Sequence, residues 1–241
     1  MAALHVVSHG LTHVGLVRRR NEDAFLERPE RGLWAVADGM GGHEAGDYAS
    51  ARIVAALDAL SSAPDLGKSI EAAVQTLHDV DLELRARAAL LGPGAVIAST
   101  VVALLASGDE SAVIWAGDSR LYRWRDGEFR QLTVDHSQVQ EMVEAGLLRP
   151  DQAANHPMSH IVTRAVGTGP VEFAVRRDAL LPGDRLVLCS DGLTNMVSDA
   201  EIAREIGGAA PQWSAERLRD LVLERGAIDN VTIVVAAAEP A

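Results

Sequence analysis

Apolar residues recur along the chain with two different periods, and the two are segregated. Short apolar runs at 5–7, 12–17, 24–27 and 33–38 predict strands. Then Ala49, Ile53, Ala56, Leu57 and Leu60 recur at three- and four-residue spacing. Ile70, Val74, Leu77, Val80 and Leu84 repeat that spacing, with Glu71, Asp79, Glu83 and Arg85 on other faces. Two amphipathic helices follow from this, with Pro64 and Gly67 punctuating the gap between them.

Strand signals return from 98 to 106 and from 111 to 116. The run 121–124 leads into Asp126-Gly127, a hairpin signal with 128–132 as the return strand. Residues 137–145 read as a short helix ending at Gly146, and 147–160 as irregular chain. Strands are expected at 173–180, 185–190 and 231–237. Ser198 and Glu201 form a capping box ahead of Ile202 and Ile206, and 215–225 reads as a further helix. Strands and helices come in groups and do not alternate. That favours an antiparallel α+β architecture over a doubly wound parallel sheet. No repeat, low-complexity stretch or Pro/Gly/Ser linker divides residues 1–241, so a single domain is expected.

Composition narrows the function. The 241 residues are 48% apolar and 23% charged, which is ordinary for a globular chain. The longest apolar stretch, 95–106, contains Ser99 and Thr100 and falls short of the ~20 residues that a membrane span needs. No basic run precedes an apolar core at the start, and Cys189 is the single cysteine. A cytoplasmic protein is therefore expected, with no membrane partner and no secretory leader. The net charge is −12, and Lys68 is the only lysine. A field of that sign argues against nucleic acid and repels anionic substrates, so a phosphate site would have to supply its own positive charge.

The aspartates carry the chemical information. Apolar runs end in Asp38-Gly39, in Gly117-Asp118 and in Ser190-Asp191-Gly192. Asp229-Asn230 precedes the last strand, and Asn21-Glu22-Asp23 lies between two early ones. Any one of these fits a turn. Five of them at strand ends also fit carboxylates gathered on one rim around a hard cation, Mg²⁺ or Mn²⁺, since no histidine or cysteine cluster accompanies them. Glycine after Asp38 would let a backbone carbonyl approach such an ion. From the residues alone both readings stand.

Five motifs in order sharpen the choice: Arg18-Arg19-Arg20-Asn21-Glu22-Asp23, Asp38-Gly39-Met40-Gly41-Gly42-His43, Gly117-Asp118-Ser119-Arg120, Ser190-Asp191-Gly192-Leu193 and Asp229-Asn230-Val231-Thr232. The chain resembles the PPM (PP2C-type) metal-dependent serine/threonine protein phosphatases in their compact bacterial form, over about residues 10–235. The resemblance implies an αββα sandwich with two Mn²⁺ or Mg²⁺ ions in a cleft. Asp38 would bridge both ions, the Gly39 carbonyl would bind one, and Asp191 and Asp229 would hold the other. Asp118, with Asp191, matches a third-ion site. Glu22 and Asp23 would orient metal-bound waters, and Arg18 matches the phosphate-binding arginine. His43 is the candidate acid for the leaving group, with a metal-bound water as its competitor. A water between the cations would attack the phosphoester.

Residues 135–160 match the flap of the family, with Ser159 and His160 departing from its usual Arg and Asn. The partners implied are phosphorylated proteins and a cognate serine/threonine kinase, with the enzyme a monomer. Two alternatives accompany this reading: a catalytically silent phosphoprotein-binding pseudophosphatase, and a partner-switching phosphatase acting on an anti-sigma-antagonist type protein. Other features read as structural. Arg19 and Arg20 are solvated arginines, His136, His156 and His160 are loop histidines, and Cys189 is a buried, inert thiol.

Overall fold

The computed structural model describes residues 4–41, 45–61, 63, 65–153 and 156–240. The expectations for His43 and Pro64 lie outside the described residues. The chain opens with β1 (Leu4–His13), β2 (Asp23–Arg28) and β3 (Leu33–Gly41). The two helices α1 (Ala45–Asp58) and α2 (Leu66–Leu91) follow. Next come β4 (Ile97–Ser99), β5 (Val101–Ser107), β6 (Glu110–Ala116), β7 (Arg120–Arg125) and β8 (Glu128–Gln131). The excursion α3 (Gln138–Glu144) and α4 (Pro150–Ala153) leads to β9 (Ala174–Ala179) and β10 (Arg185–Cys189). The last elements are α5 (Asp191–Thr194), α6 (Asp199–Ile206), α7 (Pro211–Glu224) and β11 (Val231–Pro240).

One sheet runs β1-β11-β10-β7-β8. The other runs β2-β3-β5-β6-β9, with β4 added to the end of β3. Every strand pairing in both is antiparallel. The side-chain alternation of β3 shows how the layers form. Trp34 and Val36 point into a core between the sheets, with Val102, Leu104 and Val113 beside them and Leu121, Leu188 and Val234 opposite. Ala35 and Ala37 point the other way, against Ile53 of α1 and Leu77 and Leu84 of α2. On the far side, Val187, Ile233 and Val235 meet Leu193, Ile202 and Leu218 of the later helices. Strands covered on both faces carry continuous apolar runs, which is why 33–37 shows no alternation. Each fully buried Leu, Ile or Val in these layers contributes about 1.5–3 kcal/mol. The expected α+β sandwich with flanking helices is the observed one.

Three local expectations change. The run 5–7 and the first two residues of 12–17 are parts of one strand, because β1 pairs with β11 without interruption from Leu4↔Pro240 to His13↔Val231, and residues 14–17 lie beyond its end. The polar Ser8-His9-Gly10 between them sits on an edge strand, where the Phe25 ring packs over Gly10. The run 98–106 is two strands, broken at Thr100. Residues 191–194 form the short helix α5, which the apolar pattern does not announce. Beyond these three, residues 150–153 form the short helix α4 inside a stretch expected to be irregular. Asp126 (φ 50°) and Gly127 (φ 85°) make the left-handed turn of the β7–β8 hairpin, and Ser198 and Glu201 form the capping box of α6.

Candidate metal centre

Asp23 and Asp38 are directly opposite each other on β2 and β3. Asp38 is fixed from the broken strand. Its N–H donates to Thr100 Oγ1 (3.1 Å), and the Thr100 N–H donates to the Asp38 carbonyl (2.9 Å). Thr100 Oγ1 also shares a 2.7 Å hydrogen bond with Ser119 Oγ, one residue beyond Asp118. The break between β4 and β5 therefore places a hydroxyl under Asp38 and ties it to the Gly117-Asp118 turn. Gly117 takes φ 115° there, and a Cβ on it would fall 2.6 Å from the Thr100 side chain. His136 closes the same turn: its N–H reaches the Gly117 carbonyl (2.9 Å), and its Nδ1 accepts from the Gly117 N–H (3.2 Å).

Gly39 also has a packing role. A Cβ there would overlap the Gly46 carbonyl, where the start of α1 packs backbone to backbone on β3. The glycine is needed for that approach.

Asp191 opens α5, and the Asn195 amide one turn later donates to its Oδ2 (3.1 Å). Asp229 is bound at both oxygens. Oδ2 lies 2.6 Å from Arg18 Nη2, and Oδ1 accepts the Asn230 N–H (2.8 Å). The Asn230 side chain accepts from the Glu22 N–H and donates to the Val14 and Arg20 carbonyls, stapling the Arg18–Asp23 segment to the start of β11. The Ser50 hydroxyl of α1 donates to the Glu22 carbonyl (2.5 Å).

The carboxylates share one electrostatic field. Burial raises Asp38 well above the ordinary carboxylate value, and Asp23, Asp191, Asp118 and Asp229 raise it further. Asp191 is raised by burial and by Asp229, against the hydrogen bond that Asn195 donates to it. Burial pushes Asp118 up to about 7, with Asp191 and Asp135 adding to it. Burial also pushes Asp23 up to about 7, against the hydrogen bonds that Thr232 (2.7 Å) and Ser190 (2.8 Å) donate to its Oδ2. Glu22 is raised by burial and by Asp47.

The structure thus brings Asp38, Asp118, Asp191, Asp229 and Asp23 together from separate strand ends, with Arg18 beside them. Sequence reasoning assigned no role to Thr100, Ser119, Asn195 or Thr232. The polar pair Ser99-Thr100 inside an apolar run was the signal for Thr100. Among the described residues no group of three or more His, Cys, Asp or Glu side chains is placed to hold a metal ion; the oxygens of Asp229 are engaged by Arg18 and Asn230. The donor set nonetheless fits hard divalent cations. It is all oxygen, it holds mutually repelling carboxylates, and Asp23 Oδ1 is buried with no hydrogen-bond partner.

Residues 16–222 match the family model Protein phosphatase 2C. The chain belongs to the protein phosphatase 2C family. Among solved structures, PppA of Pseudomonas aeruginosa, titled a key regulatory component of T6SS, is 41% identical, with a TM-score of 0.90 over 97% of this chain and 98% of that one. The catalytic domain of the serine/threonine protein phosphatase PstP, solved with two manganese ions, is 35% identical, with a TM-score of 0.87 over 98% and 99%. The curated PstP of Mycobacterium tuberculosis is 38% identical over 92% of this chain. The match spans only 43% of that relative's own length.

Within this PP2C fold, Cys189 is buried at the end of β10, and burial pushes its thiol up to about 12, as suits an inert core residue. Among the described residues no helix is long and apolar enough to cross a membrane.

Proposed function

We propose that this chain is a metal-dependent protein serine/threonine phosphatase, acting as one catalytic domain over residues 1–241. The observation that carries the reading is the grouping of Asp118, Asp191 and Asp229 in the field of the buried Asp38, with Arg18 on Asp229. Asp38, the Gly39 carbonyl, Asp191 and Asp229 would hold two divalent cations, Mn²⁺ or Mg²⁺, and Asp118 with Asp191 a third. Bound there, such cations acidify water and neutralise phosphoryl charge.

The protein's own groups do the rest. Arg18 offers a planar guanidinium for two phosphate oxygens, the local positive charge that a −12 chain needs to attract a dianion. Asn195 orients the Asp191 carboxylate through its 3.1 Å hydrogen bond. Thr232 and Ser190 hold one oxygen of Asp23 and leave the other directed into the buried centre. Glu22 and Asp23 would orient water on the bound cations. His43 remains the candidate acid for the departing serine or threonine oxygen.

The substrates are phosphorylated proteins, and the partner enzyme is a cytosolic serine/threonine kinase whose products this monomer resets. Every aspartate that the chemistry requires is retained, which favours turnover over a silent phosphoprotein-binding module.

The test is hydrolysis of a phosphothreonine peptide with Mn²⁺, with EDTA, and by Asp191→Ala. Manganese-dependent turnover lost in both controls is the expected outcome. Tight phosphopeptide binding without turnover would replace the enzyme with a binding module.

A further inference from the structure

A cavity of about 670 Å³ starts at Asp118 and Asp191 and extends away from them between the α3–α4 excursion and the segment from α5 to α6. Its volume is that of a site that accepts a side chain together with its neighbours. The α3 side presents Val139 and Val143, and the opposite wall presents Met196 and Val197.

The charges along it are not equivalent. Asp135 is neutralised by Arg120, whose guanidinium lies 2.6 Å from it. Glu201 is neutralised by Arg225 at 2.5 Å. Asp118 and Asp191 belong to the candidate metal centre. Asp199 is left: its partner is the neutral Tyr122 hydroxyl, donating at 3.1 Å, and among the described residues no cation pairs with it. Tyr122 is itself buried and held by Arg120 (2.9 Å), so the Asp199 carboxylate is positioned from below and exposed above.

The apolar patches of Val139, Val143, Met196 and Val197, leading to a carboxylate with no cation partner among the described residues, match an amphipathic cation, whose alkyl stem lies along them while its head meets the charge. We infer that this cavity receives a lysine or arginine lying a few residues from the phosphorylated serine or threonine, and that Asp199 is the specificity-determining residue. The inference rests on the phosphatase reading and names the substrate class of that site.

The test compares phosphothreonine peptides of equal length carrying Arg or Glu at the second and third positions before, or after, the phosphothreonine. p-Nitrophenyl phosphate, which carries no flanking residues, reports the chemistry alone. For the flank that enters the cavity, Arg is expected to raise kcat/KM over Glu by up to about five-fold, in KM, with the gain shrinking as NaCl is added. Asp199→Asn keeps an acceptor for Tyr122 and is expected to remove the preference, and Asp199→Lys to reverse it, both at unchanged p-nitrophenyl phosphate turnover. Equal rates for Arg and Glu peptides on both flanks would overturn the inference while leaving the phosphatase reading intact. So would a preference that survives in Asp199→Lys. Absence of turnover on every substrate with Mn²⁺ would overturn both.

Discussion

Arg18 and Asp229 meet at 2.6 Å, although 211 residues separate them in the chain. The contact joins the loop after β1 to the turn before β11, and Asp229 raises the Arg18 pKa above its already high value. It places the guanidinium proposed to clamp phosphate against a carboxylate of the candidate metal centre. Both side chains are partly exposed, 54% and 33%, so the pair itself adds little stability.

Arg18→Ala should therefore act on catalysis and hardly on folding. The expected outcome is a raised KM and a kcat/KM lower by about ten-fold or more, as for loss of a charge-assisted clamp, with Tm within a degree or two of the parent. Steady-state kinetics on a phosphopeptide, with a thermal melt alongside, check it. An unchanged kcat/KM would remove Arg18 from the phosphate site.

Thr100 gives the opposite balance, because it is buried and accepts the Asp38 N–H. Thr100→Val keeps the shape but strands that N–H and the Ser119 hydroxyl, at a cost of about 1–3 kcal/mol. Urea unfolding should show that loss, and Mn²⁺ titration by calorimetry should show weaker binding because Asp38 is no longer held. Thr100→Ser should recover most of both. A Val variant with full stability and parental Mn²⁺ affinity would show that the hydroxyl does not position Asp38.

Stability without divalent ions should depend on pH in a direction set by Asp23 and Asp118. Burial holds each at about 7 in the folded chain, against about 4 when unfolded. Between those values the folded state binds more protons than the unfolded state. The contribution is therefore favourable at low pH and is lost as pH rises through about 7. In EDTA, Tm at pH 6 is expected to exceed Tm at pH 8 by several degrees. Mn²⁺ should raise Tm more at pH 8, where it no longer competes with protons. A melt series showing a flat or rising Tm from pH 6 to 8 in EDTA would contradict this account.

Periodicity and motif order along the chain were enough for the strand and helix groups, the antiparallel α+β class and the five acidic motifs, because each depends on residues close in sequence. The continuous apolar run of β3 and the three- and four-residue spacing in α1 and α2 report burial directly. What tertiary structure alone decided is what depends on the partner. Ser8-His9-Gly10 belongs to one strand because β11 continues beside it. Thr100 breaks a strand because Asp38 and Ser119 need its hydroxyl. Gly39 is small where α1 lies on it. Asp199 has no ion-pair partner among the described residues while Asp135 and Glu201 do, because Arg120 and Arg225 fold back onto those two. Long-range hydrogen bonds and charge pairing join residues tens to hundreds of positions apart, and local sequence patterns contain no record of which pairs will meet.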